Sequence, residues 1–113
     1  MAASHFKGPV NSTNGFQFGD TGTQLTYAQR GSVAVDPASL AATTAAETTV
    51  TITGAVAGDT VVMNPPTAGL TAGLLFCGAY VSAADTVKIQ LYNSTGAGID
   101  EPSGNWNYCL IRS

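Results

Sequence analysis

The sequence predicts an all-β protein, a small antiparallel β-sandwich or barrel-like domain preceded by an extended N-terminal arm. Three observations lead there. Between Leu74 and Asn93 a nearly unbroken apolar run, Leu74 to Val81, is followed by Val87, Ile89 and Leu91 alternating with Lys88, Gln90 and Tyr92. Alternation with period two assigns the two sets to opposite faces of a strand. Turn signals built from Gly, Pro, Asn and Asp recur roughly every 8–12 residues, the spacing of a sandwich or small barrel. Charged residues make up only 10% of the 113, against about 25% in an average soluble domain. The polar remainder is mostly Thr, Ser, Asn and Gly, which suit strands and turns better than helices.

Residues 1–22 read as an irregular, extended arm, and 23–113 as one domain. Gly8-Pro9, Asn14-Gly15 and Gly19-Asp20 are turn signals, with Phe6, Val10, Phe16 and Phe18 set among them. An arm carrying three phenylalanines is expected to dock them on its own domain or on a neighbour. Residues 23–35 predict one or two short strands, interrupted at Arg30-Gly31. Pro37 to Ala46 predicts an extended connection or a single helical turn. Residues 47–54 form a strand with Val50 and Ile52 on one face and Thr49, Thr51 and Thr53 on the other. Asp59 to Asn64 is the next, stopped by Pro65-Pro66, since proline cannot donate to a ladder. The run Leu74 to Val81 is apolar on both faces, so cover is expected on both sides. Ser82 to Asp85 turns the chain into the next strand. A loop, Ser94 to Asn105, leads to the closing strand, Trp106 to Arg112.

The chemistry is legible mainly by exclusion. Four cations, Lys7, Arg30, Lys88 and Arg112, are scattered through a chain of net charge −3. A phosphate-binding groove needs them clustered, so no nucleic-acid partner is expected. No apolar run approaches the roughly 20 residues of a membrane-spanning helix, and residues 1–11 lack a signal-peptide apolar core. Cys77 and Cys109 are expected as free, buried thiols without zinc-site spacing. His5 is alone, Asp100 and Glu101 read as solvated, and Asp20, Asp36, Asp59 and Asp85 sit at turns where carboxylates bond nearby backbone N–H groups. No Asp-x-Asp-x-Asp calcium loop, G-x-S-x-G serine or phosphate-binding glycine loop is present. The expectation is a protein that is not an enzyme and takes no cofactor or metal. Asn11-Ser12-Thr13 and Asn93-Ser94-Thr95 match the glycosylation pattern.

The opening Phe6-Lys7-Gly8-Pro9-Val10-Asn11-Ser12-Thr13-Asn14-Gly15-Phe16 resembles those of tailed-bacteriophage virion proteins. The series Gly58-Asp59-Thr60-Val61-Val62, Asn64-Pro65-Pro66, Asp85-Thr86-Val87-Lys88-Ile89, Leu91-Tyr92-Asn93-Ser94-Thr95-Gly96 and Trp106 to Arg112 is similar to small β-sandwich modules of phage head-decoration, head-fibre and tail-associated proteins. The resemblance implies a capsid decoration (cement) protein made in the host cytoplasm. It would form a homotrimer on the major capsid protein at the virion surface. The alternative is a glycan- or receptor-binding tip of a tail fibre, with exposed aromatic, Asn and Asp groups on loops such as Ser94 to Asn105. Candidate interface residues are Phe6, Phe16, Phe18, Tyr80, Tyr92, Trp106 and Tyr108, because aromatics dominate interface energetics.

Overall fold

The computed structural model describes residues 7–9 and 11–113. Six strands follow in order: β1 Tyr27–Val35, β2 Ala45–Thr51, β3 Thr60–Asn64, β4 Leu74–Ala83, β5 Thr86–Asn93 and β6 Gly104–Arg112. They form two three-stranded antiparallel sheets, β1-β6-β3 and β2-β5-β4. Pro37 to Ala46 takes the extended option: no helix forms among the described residues, and β2 starts at Ala45. β1 runs unbroken through Arg30-Gly31, in continuous register with β6 from Tyr27↔Arg112 to Val35↔Gly104.

The core lies between the sheets. Val35, Met63, Trp106 and Leu110 come from one side, and Val50, Leu74, Val81, Val87, Ile89 and Leu91 from the other. Trp106, 1% exposed, meets the Phe76 ring edge to face, centroids 5.3 Å apart and planes at 82°, a favoured aromatic geometry. At one end of the sandwich the interior turns polar. Tyr27 donates to Gln29, whose amide donates to the Tyr108 hydroxyl at 2.9 Å. Gly31 lies opposite Tyr108 in the ladder, and a Cβ there would sit 2.7 Å from the Tyr108 hydroxyl. Glycine at this point lets the ring lie across the strand.

β4 corrects the expectation of two covered apolar faces. A bulge between Phe76 and Gly78 and another between Val81 and Ala83 break its register with β5. Leu74, Phe76 and Val81 turn inward, while Leu75, Cys77 and Tyr80 are exposed on the outside. The thiols are not both buried as expected: Cys77 is exposed and Cys109 half-buried, both free. They belong to different sheets, Cys77 to β4 and Cys109 to β6.

Three polar devices hold the ends. Asp59, its side chain 2% exposed, takes two hydrogen bonds from Arg112, at 2.6 and 2.7 Å, and one from the Val56 N–H. Arg112 also donates to the Gly54 carbonyl and stacks on Tyr27, 4.4 Å from the ring centre. Its bonds hold the Asp59 carboxyl below the usual aspartate range, and Asp59 in return raises the Arg112 guanidinium. Asp85 adopts φ +58°, a region Asp tolerates better than most residues, and its carboxylate accepts from the Gly54 N–H at 2.8 Å. At the opposite end Asn93 is fully buried. Its amide donates to the carbonyls of Leu40, Ala41 and Ala97, and its oxygen accepts from Thr95. The Asn93-Ser94-Thr95 glycosylation pattern is therefore closed in the folded chain. Glu101, expected in solvent, is buried and accepts from the Thr71 N–H.

Candidate interaction surfaces

Three surfaces stand out: the arm and the outer face of each sheet. In the arm, Phe16 and Leu25 exchange backbone hydrogen bonds of 2.9 and 2.7 Å, a single bridge that folds the arm into a loose hairpin. From Asn11 to Gln24 every residue except Gly15 and Gly22 is exposed. Phe16 is 52% and Phe18 81% exposed, an arrangement water disfavours. Both line an open cleft of about 410 Å³ with Leu25, Tyr27 and Ala28. The molecule measures 62 × 27 × 24 Å, and its radius of gyration is 17.9 Å, against about 13 Å for a compact domain of this size. Phe6, Val10 and His5 lie outside the described residues.

The outer face of β2-β5-β4 follows from register. Ala45, Tyr92 and Leu75 form one row, Glu47, Gln90 and Gly78 the next, and Thr49, Lys88 and Tyr80 the third. The Tyr80 hydroxyl donates to Glu47 at 2.6 Å and Gln90 donates to the same oxygen at 3.4 Å. The Tyr80 bond keeps the Glu47 carboxyl below its ordinary range and raises the tyrosine above its own. Tyr80 is 42% exposed, Leu75 50%, and Tyr92 half-buried. Of the aromatics proposed for contact, Tyr80 and Tyr92 thus share one face. Trp106 belongs to the core, and Tyr108 is half-buried against it. Strand parity could have separated these: Trp106 and Tyr108 alternate with Asn105 and Asn107, which marks their face as the inner one.

The outer face of β1-β6-β3 was not singled out by sequence. Its rows are Ala28, Ile111 and Thr60; Arg30, Cys109 and Val62; Ser32, Asn107 and Asn64; and Ala34 with Asn105. Loop Ser94 to Asn105 presents no aromatic. Asn93 and Trp106, which flank it, are both buried, as is Glu101 within it. Among the described residues no group of three or more His, Cys, Asp or Glu is placed to hold a metal, and no helix is long and apolar enough to cross a membrane. A scan against protein-family models returned no match, and searches of curated proteins and of solved structures returned none either.

Proposed function

We propose that this chain is a structural protein of the virion surface, a capsid decoration protein that binds the outside of a tailed-phage head as a homotrimer and stabilises the shell. The observation that carries the reading is the arm. Phe16 and Phe18 stand exposed beside an apolar cleft at the root of β1, on a chain with too little charge to keep such surface comfortable in water. Burying them against a neighbouring copy or the shell recovers roughly 25 cal/mol per Å² of apolar area. The sandwich supplies a rigid body and the arm supplies the reach. The resemblance of residues 6–16 and of the strand-and-turn series supports the virion setting.

The test is co-sedimentation of purified protein with expanded heads lacking decoration, alongside its native mass. A trimer that saturates heads at a symmetry-fixed ratio is expected. A protein that ignores heads but binds glycans on an array belongs to the fibre-tip class instead.

A further inference from the structure

We infer that the outer face of β1-β6-β3 is a docking surface for a protein partner that presents an Asp or Glu side chain, received by Arg30. The inference names the contact made by the decoration reading above and rests on it for the identity of the partner. Strands β1, β3 and β6 contain no Asp or Glu at all, in a chain whose seven carboxylates outnumber its four cations. Arg30 is the one charge that register and strand alternation place on this face. Among the described residues it has no ion pair, in contrast to Arg112 on the inner side of β6. It also makes no side-chain hydrogen bond to any of them, so none of the described residues claims its guanidinium donors.

The surroundings suit a carboxylate. Arg30, Cys109 and Val62 share one row, and Asn107 and Asn64 lie in the next, about 7 Å along the strands. Arg30, Val62, Asn64, Asn107 and Cys109 line a depression of about 90 Å³. Its size suits the tip of an acidic side chain and falls well short of the roughly 300 Å³ or more of a pocket for a drug-sized ligand. Guanidinium and amide N–H groups can bond both carboxylate oxygens. Val62, 54% exposed, and the half-buried Ile111 provide apolar contact around it. An arginine amid uncharged polar and apolar groups is the composition of an interface centre.

The experiment uses the full ¹⁵N-labelled chain and sodium acetate as probe, at ionic strength held constant with sodium chloride. Saturable shifts at the Arg30 side chain and at the Asn64 and Asn107 amides are expected, with the two amide shifts absent in Arg30→Gln. Shifts no larger than chloride produces, or shifts unchanged in Arg30→Gln, overturn the inference. Saturation by N-acetylneuraminic acid at a hundredfold lower concentration than acetate also overturns it, making the ligand an acidic sugar. Head binding separates the two readings. Arg30→Glu, an exposed substitution expected to leave the circular dichroism spectrum intact, should weaken it at least tenfold. Undiminished head binding by that variant sinks the Arg30 contact and leaves the decoration reading standing. Failure of the wild-type chain to bind heads sinks the decoration reading, and the acetate titration then decides the carboxylate site by itself.

Discussion

Individual side chains divide cleanly into those that hold the fold and those free to act. Trp106, buried against Phe76, belongs to the first group. Trp106→Ala should cost about 3–5 kcal/mol in urea unfolding, the range for emptying a large core site, whereas Phe18→Ser should change stability by less than about 0.5 kcal/mol. Asn93 donates to three carbonyls; Leu40's also accepts from the Ile99 N–H and Ala97's from the Thr95 hydroxyl, while Ala41's has no other donor among the described residues. Asn93→Ala should cost at least about 2 kcal/mol. Asp59 sets the acid limb of stability. Its carboxyl is depressed in the folded chain, so the folded state binds that proton less readily than the unfolded state. The stabilisation is complete above the unfolded value of about 4 and is lost as pH falls through the lower folded value. Asp59→Asn should lower the melting temperature at pH 7 and flatten its dependence on pH below about 4. An unchanged acid limb would show that the Arg112 pairing contributes nothing.

Within the strands, local pattern and tertiary context contributed differently. Gly31→Ala brings a methyl group against the Tyr108 hydroxyl. It should break the Gln29–Tyr108 bond and lower the melting temperature by several degrees without changing the β content seen by circular dichroism. Residue pattern and turn signals located β3, β5 and β6 to within two residues and β2 to within three, its end expected at Gly54 and found at Thr51. The pattern misjudged β4, where inserted residues at two bulges shift the faces and an eight-residue apolar run becomes one-sided. It split β1 at Gly31, because a glycine reads as a break unless the aromatic opposite it is known. Glu101 and Asn93 were illegible for a related reason: their partners, Thr71 and Leu40, lie 30 and 53 residues away. The arm's aromatics were evident from sequence, and their exposure came from the structure. Arg30 was counted only as one scattered cation, since the cross-strand rows that isolate it from every carboxylate do not exist until the strands pair.

At the scale of the whole molecule, a rigid sandwich carries an exposed aromatic arm. Removing residues 1–18 should leave the sandwich folded, with a melting temperature within a few degrees of the full chain, because none of the described residues there belongs to the buried core. The same truncation should abolish self-association in analytical ultracentrifugation. The measurement that bears most directly on the central claim is co-sedimentation of the full chain with expanded, undecorated phage heads. The account predicts saturable binding at a symmetry-fixed ratio, lost on removal of residues 1–18. A stable monomer that leaves heads unoccupied at micromolar concentration would contradict it.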